Sequence, residues 1–483
     1  MSRPGQDASK DGPEALGSKT KRAGSGRGED KGYREALDYL YSLQKHGIKL
    51  GLENTRRLLA ALGNPHQAFR CIHVAGTNGK GSTSAAIAGI LRAAGQPTGL
   101  FTSPHLMSFT ERIIIDGKEI SGEKTIRLAL SVRDAVGKSK ALGDLKPTFF
   151  EFVTAMAMME FRERGVQWAV LETGMGGRLD ATNVVSPEVS VITPVGIDHG
   201  QFLGRTLREI AFEKAGIIKP GVPVVLGPQK PDCLEVFEEK AAAGSSSLYL
   251  YGRDFEAAIE SSSAGGVLFD YRRPPSPGFS PDIAHSGLFF PLAGDYQAAN
   301  AAVAVRAAQA AGFEDGLFIR EGLKQVVLPG RLELAGRDPE IRLDGAHNPE
   351  AARALAGALR GLFLPEGRRL VLVLGIMADK DVHGIMEALL PLAWKTVFTA
   401  PAYGRAMRPG ELRMRARAMG FEGRPGEASF SQAGSVAKAV AQAKDLCRPG
   451  DLMVITGSFY TAGEAKMVLR REGGRFSRLR ETL

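Results

Sequence analysis

Residues 71–94 read CIHVAGTNGKGSTSAAIAGILRAA, and this stretch decides the fold. Cys71 to Ala75 is an apolar run of strand length, and Thr83 to Ala94 is built from helix formers. GTNGKGST, Gly76 to Thr83, joins the two through a glycine-rich turn. A strand, a glycine turn and a helix N-terminus in that order form a phosphate cradle. Glycines let backbone N–H groups approach phosphate oxygens, the helix dipole adds partial positive charge, and Lys80 adds a full one. The segment departs from GxxxxGK[ST]: Val74 stands at the first glycine, and Gly81 takes the hydroxyl position, deferring it to Ser82.

Outward from this turn, strand-length apolar runs alternate with helical patterns. Upstream, Ala36, Leu37, Leu40, Tyr41 and Leu43 recur at helical spacing, and a second amphipathic stretch runs from Leu52 to Leu62 before Gly63. Downstream, Gly99–Phe101, Trp168–Leu171, Val189–Thr193 and Val222–Leu226 read as buried strands of a largely parallel sheet with helices on both faces. Ala242 to Pro291, with SSS, SSSAGG and RRPPSPG, reads as a β-rich excursion with exposed loops. Helical sequence resumes at Gln297 and LPGR breaks it; Ile341–Leu343, Leu370–Leu374, Thr396–Thr399 and Leu452–Ile455 then predict a second α/β series. The expected organisation is a tail over 1–32, a first domain over 33–326, a linker over 327–334 and a smaller Rossmann-like domain over 335–483.

Length and composition set the outer limits. The chain has 483 residues, with 43% hydrophobic and 24% charged, which excludes collagen-like, wholly disordered and small disulfide-stapled classes. Lys and Arg number 62 against 53 Asp and Glu, a net +9 that suits anionic small molecules as well as nucleic acid. Cys71, Cys233 and Cys447 are far apart and outside any metal-binding spacing, which points to a reducing cytoplasm. No run reaches the 18 or so apolar residues of a membrane helix, and 1–32, rich in Gly, Ser, Lys and Asp, reads as a disordered tail without a signal core.

Candidate chemistry gathers at strand ends. In WAVLETGMGGRLDATN, Trp168 to Asn183, a buried strand ends in Glu172, where open α/β sheets place their ligands. Such a carboxylate suits magnesium, with a pair to Arg178 as the lesser alternative. Ser103 follows the strand Gly99–Phe101, and its hydroxyl fits a metal ligand or a turn cap. Spacing alone leaves His199, in GIDHGQFLG, as a hydrogen-bonded structural histidine or a ligand, and Lys214, in FEKAGIIKPG, as a helix lysine. In the second series Asp344 ends a strand, and His347 lies in the turn before a helix started by Pro349, with Asn348 as a cap.

Taken together, the motifs resemble the Mur ligase superfamily, and closely its folate branch, folylpolyglutamate synthase and dihydrofolate synthase. The resemblance runs from about Tyr33 to Glu464. It rests on the ordered set HGIKLGLENTRRLLAALGNP, HVAGTNGKGST, TSPHL then ERI, TFFEFVTAMA, LETGMGGRLDATN, GIDH, EKAGIIK, LPGRLE, DGAHNP, GIMADKD and TGSFYTAGE. It implies a two-domain ATP-dependent ligase that joins L-glutamate to dihydropteroate, to reduced folates, or to both. By the same resemblance Gly79, Lys80, Gly81, Ser82 and Thr83 hold the triphosphate, and Asn300, Arg331 and Asp344 hold the nucleotide from the second domain and linker. Ser103, Glu172 and His199 match magnesium ligands, and Lys214 matches a lysine whose carbamate binds a second ion. Thr148, Phe149, Phe150 and Leu179 fall at pterin positions, and His347 near the phosphates. The resemblance also implies a monomer that works without nucleic acid or membrane. One departure stands out: the branch usually has His before Gln ahead of Asn300, where this chain has Asp295, Tyr296 and Gln297.

Three competing readings make different predictions. A cell-wall Mur ligase lacks the TSPHL and ERI segments of the folate branch. A P-loop switch or kinase accounts for the phosphate turn and Glu172 but gives the second α/β series no role, and its hydrolysis is indifferent to glutamate. An RNA-binding protein would use Arg470, Arg471, Arg475, Arg478 and Arg480, yet with Phe476 as the single aromatic among them no aromatic-interleaved basic motif supports that role.

Overall fold

The computed structural model describes residues 25–47, 49, 51–138, 145–274, 282–421 and 429–473. Its strands are β1 (Arg70–Ala75), β2 (Thr98–Phe101), β3 (Ile113–Ile115), β4 (Lys118–Glu119), β5 (Trp168–Glu172), β6 (Val189–Ile192), β7 (Val224–Leu226) and β8 (Leu248–Leu250) in a first sheet. There they lie in the order β4-β3-β2-β5-β1-β6-β7-β8, parallel except for the β2-β3-β4 edge. The apolar runs are buried on both faces: one cluster packs Ile72, Val74, Val170 and Val191 against the helices Lys80–Ala93 and Tyr296–Ala310, while another packs Cys71, Phe101, Ala169 and Leu171 against Phe149–Glu163. This two-sided burial is why the strands read as continuous rather than alternating apolar sequence.

The β-rich excursion is real. It comprises β9 (Glu256–Ser263), β10 (Gly266–Arg273) and β11 (Asp282–Phe290), an antiparallel sheet whose Val267, Phe269, Leu288 and Phe290 close over the helix Tyr296–Ala310. The second sheet holds β12 (Glu333–Arg337), β13 (Glu340–Leu343), β14 (Leu370–Leu374), β15 (Lys395–Phe398), β16 (Ser429–Gln432) and β17 (Leu452–Thr456), in the order β12-β13-β17-β14-β15-β16. Only the β12–β13 pair is antiparallel. The α/β architecture with two sheets is the one expected.

Several boundaries differ from the sequence reading. The helix expected from Thr83 starts at Lys80, because its first turn is the glycine loop itself. The first helix spans Ser25–Ser42, reaching back into the segment read as tail; residues 1–24 lie outside the described residues, as do Arg475, Arg478 and Arg480. Elongation adds a hydrogen bond for each residue fixed, so a helix held by Leu37 and Leu40 extends past its apolar face. β12 begins at Glu333, within the 327–334 segment read as linker.

One loop ties the two halves together. Ser103 to Ser108 leaves the first sheet after β2, yet Leu106 is buried in the second domain's core with Ile455, Ala462 and Ala465. Gly463, in the helix Phe459–Gly473, lets the Leu106 carbonyl approach so closely that any Cβ there would overlap it.

Candidate active site

Parallel register sets the site. β1 lies between β5 and β6, with Val74 beside Glu172 and Ala75 beside Ile192, while Phe101 of β2 sits beside Leu171. The glycine loop, Ser103, Glu172 and the segment before His199 therefore leave the sheet at one edge, at the reversal of strand order where such folds bind ligands.

The glycine loop is shaped for an anion. Gly79 has φ +87°, in the left-handed region, and a side chain there would run into the Asn300 Oδ1. Asn300 is buried and held by its Nδ2 donating to Gln297 Oε1 at 2.9 Å. Thr83 Oγ1 donates to the Asn300 carbonyl at 3.4 Å, so the helix Tyr296–Ala310 braces the loop from below. Lys80 Nζ donates to the Thr77 carbonyl at 3.1 Å. Glu172 Oε2 and Arg331 Nη2 both lie against Gly81, within 4 Å of where a Cβ would stand.

Glu172 is 3% exposed and accepts a hydrogen bond from the Ser103 backbone N–H at 3.3 Å. Burial raises its pKa, opposed by Lys80, that N–H, Arg331 and Arg112. Lys214 is also buried, and its Nζ donates to the Gly76 carbonyl at 2.7 Å. Burial, reinforced by the Lys80 charge, lowers its pKa to about 7. An amine in that state is a nucleophile near neutrality, unlike the helix lysine that spacing alone suggests. His199, with φ +53°, has its pKa lowered to about 4 by burial, against the pull of Asp198.

The second domain closes over this edge. Arg331 stacks over Phe459 at 4.6 Å, and Phe459 in turn lies 5.8 Å from the His347 ring. Asp344 is buried, accepting from the Leu332 and Ala346 N–H groups at 3.0 and 2.8 Å, and its pKa is raised by burial against the Arg331 charge. His347 Nδ1 meets the Gly345 carbonyl at 2.9 Å; that oxygen only accepts, so Nδ1 carries the proton.

The four pterin-position residues are less concentrated. Thr148 spends its hydroxyl on capping the helix Phe149–Glu163, in a reciprocal box with Glu151. Phe149 stacks on Tyr41 at 5.9 Å beneath the Arg112 guanidinium, and Phe150 packs on Phe101 and Gly174. Leu179 is half-buried in the turn after β5.

Structure adds residues that sequence reading assigned no role. Asp198 and Lys380 meet across the domains, and Asn78 pairs with Asn348. Arg112 is buried with its Nε donating to His105 Nδ1 at 2.7 Å. Asp180 accepts from the Met175 and Thr182 N–H groups and from the Thr182 hydroxyl. Asp198, Arg112 and Lys380 each sit inside a quoted motif, GIDH, ERI or GIMADKD, which was the available signal.

A phosphate cradle on one α/β domain, with arginine, aspartate and histidine brought to it by a second, defines a two-domain nucleotide-dependent ligase of the Mur type. Comparison agrees: residues 74–308 match the Mur ligase middle domain, and 330–459 match the Mur ligase, glutamate ligase domain. The chain is 38% identical to the folylpolyglutamate synthase of Lacticaseibacillus casei, across 90% of this chain and 98% of that protein. It is 36% identical to the dihydrofolate synthase/folylpolyglutamate synthase of Bacillus subtilis, across 79% and 88%. The structure of Mycobacterium tuberculosis folylpolyglutamate synthase complexed with ADP superimposes with a TM-score of 0.82 at 33% identity, covering 91% and 99% of the two chains. The chain belongs to the folylpolyglutamate synthase/dihydrofolate synthase family, whose members are ATP-dependent ligases.

Proposed function

We propose that this protein adds L-glutamate to dihydropteroate and to reduced folyl-glutamates, using ATP. The observation that carries the reading is the buried Glu172 facing Gly81 and the Ser103 N–H, with Arg331 of the linker segment against the same glycine. A free carboxylate is a poor acyl donor, since its leaving group would be oxide. Its oxygen therefore attacks the γ-phosphorus of ATP in line, the bond to the β-phosphate oxygen breaks, and an acyl phosphate forms with ADP. Lys80 and the loop N–H groups take up charge on the transferred group. The glutamate amine then attacks the acyl carbon, phosphate leaves and a proton is released, giving the amide. Domain closure excludes the water that would hydrolyse the intermediate. We assign His347 a supporting role beside the phosphates.

The donor set fits magnesium. The buried Glu172 carboxylate and the Ser103 hydroxyl are oxygen donors of the kind a hard cation prefers, and with His199 they would hold the ion while leaving positions for water and phosphate oxygens. Bound there, magnesium supplies charge neutralisation to the transferring phosphoryl group. Lys214, buried and with its pKa lowered by burial and the Lys80 charge, fits carbamylation: its neutral amine would add to CO2 and lose a proton, and the resulting carbamate oxygens would hold a second ion. Asn300, Arg331 and Asp344 would hold the nucleotide, and Thr148, Phe149, Phe150 and Leu179 the pterin side. We assign the ATP and folate domain to 33–326, the linker to 327–334 and the glutamate ligase domain to 335–483. The working form we assign is a cytoplasmic monomer; no helix of the described residues is long and apolar enough to cross a membrane.

The test is ATP-dependent phosphate release with L-glutamate and, separately, dihydropteroate or tetrahydrofolate, products identified by mass, with Lys80→Ala alongside. Release that requires both glutamate and a pterin, adds a glutamyl mass and is lost in the variant is the expected result. Release indifferent to glutamate refutes the reading. Reaction with only one pterin reduces it to a single activity.

A further inference from the structure

Asp198 is the point at which the two domains hold each other. Its Oδ1 lies 2.5 Å from Lys380 Nζ, and both side chains are 9% exposed. Its Oδ2 lies 3.5 Å from His347 Nε2 and 3.4 Å from Asn348 Nδ2. These three partners all belong to the second domain; Asp198 follows β6 of the first. Beside them Asn78, inside the glycine loop, exchanges two amide hydrogen bonds with Asn348, at 3.2 and 3.0 Å. Asn348 Oδ1 simultaneously accepts from Ala351 N–H at 2.9 Å, capping the helix Pro349–Ala358. The phosphate loop is thus bonded directly to the N-cap of a helix in the other domain.

Stability alone gives little reason for such a pair. Desolvating two charges costs about as much as their attraction returns, and apolar replacements are often neutral or better. What a buried ion pair does supply is a single geometry, because either charge left alone in that place is strongly unfavourable. Lys380, His347 and His199 all face the Asp198 carboxylate, which lies between them.

We infer that Asp198 and Lys380 form a clasp, with Asn78 and Asn348 as its second point, that sets the two domains in the arrangement required for ligation and couples that arrangement to the state of the phosphate loop. Lys380 and Asp198 are positioning residues. Their work is to place His347, Arg331 and Asp344 against the loop, and an anion entering the loop reaches the second domain through Asn78. This inference rests on the ligase reading only for its kinetic part.

The test uses the full-length chain carrying Lys380→Met, Asp198→Asn or Lys380→Arg. Nucleotide affinity is titrated with AMPPCP, domain arrangement is read by small-angle X-ray scattering with and without AMPPCP and magnesium, and kcat and KM for glutamate are measured separately. The expectation for Lys380→Met and Asp198→Asn is a kcat lower by about 10²-fold, set by loss of positioning, together with weaker AMPPCP binding, because a coupling between domain arrangement and loop occupancy acts in both directions. Their nucleotide-bound scattering should show a larger maximum dimension, and Lys380→Arg should restore both kcat and the compact profile. Parental kcat in the two neutral variants would overturn the clasp. So would a low kcat with an unchanged scattering profile, since Lys380 would then act on the reactants themselves. If the parent ligates no folate, the ligase reading fails, while the scattering arm still decides the clasp.

Discussion

Replacing Gly463 by alanine separates assembly of the site from stability of the fold. Gly463 lies in the helix Phe459–Gly473, with the Leu106 carbonyl packed where its Cβ would go. Alanine is preferred over glycine in a helix by about 1 kcal/mol, and overpacking a tight contact costs about 1–3 kcal/mol. The net destabilisation is therefore about 0–2 kcal/mol, a shift of no more than about 2 °C in Tm for a chain of this size. Catalysis is hit far harder, because the obstructing atom belongs to the loop that carries Ser103. The carbonyl must retreat by about 1 Å, a displacement that at a reacting centre is worth about 10²-fold in rate. The assay is kcat for glutamate ligation beside a thermal melt and an AMPPCP titration. Gly357→Ala is the control: it sits exposed in the helix Pro349–Ala358 with open space around it, and should raise Tm slightly and leave kcat alone. If Gly463→Ala keeps kcat within about threefold of the parent, the coupling of loop to second domain is wrong, since a shift of that size costs about 10²-fold.

Three further expectations follow from the same geometry. Gly79→Ala forces a left-handed backbone costing about 1–2 kcal/mol and drives a methyl into Asn300, so ATP affinity should fall at least about tenfold by titration; unchanged affinity would remove the loop from the nucleotide site. Lys214 has a folded pKa of about 7 against an ordinary value of 10.5, so its reactive neutral form grows as pH rises through 7, and its favourable burial as a neutral amine increases with pH between those two values. Stripping CO2 should then depress activity, bicarbonate should restore it faster at pH 8 than at pH 6, and indifference to CO2 would rule out the carbamate. Thr148→Val breaks the capping box with Glu151 at a cost of about 1 kcal/mol, visible as a lower denaturant midpoint; an unchanged midpoint would mean the cap is replaced locally.

Much of the fold was legible because its strands are buried on both faces, and continuous apolar runs such as Trp168–Leu171 announce themselves. The strands that escaped lie at or next to sheet edges: β3 has only three residues, too few to announce a run, and the edge strands carry little packing pattern. β4 has two exposed residues, and β12 alternates weakly beside Gly336. A turn signal was nonetheless present: Asp116 and Gly117, both with positive φ, make the tight hairpin between β3 and β4 that an Asp-Gly pair favours. In the site, residues following parallel strands were readable because their edge is set by topology. Asp198 and Lys380 also follow parallel strands and lie in quoted motifs, but their pairing could not be read, since an ion pair bridging 182 positions leaves no trace in local spacing.

The cleft is therefore best regarded as one surface assembled from two halves that each need the other. The first domain brings the glycine loop, Glu172 and Lys214, all fixed by β1, β5 and the packing beneath them. The linker segment and the second domain bring Arg331, Asp344 and His347, and the contacts that carry them to that surface include Leu106 seated beside Gly463, the Asn78–Asn348 amides and the Asp198–Lys380 pair. Two of these contacts start from loops that the proposed chemistry itself uses, Ser103 to Ser108 and Gly76 to Thr83. An acyl phosphate survives only where water is excluded, so a cleft held shut through the loops we propose for phosphate and magnesium would tie closure to occupancy. That dependence favours forming the reactive intermediate only after the second domain is in place to protect it.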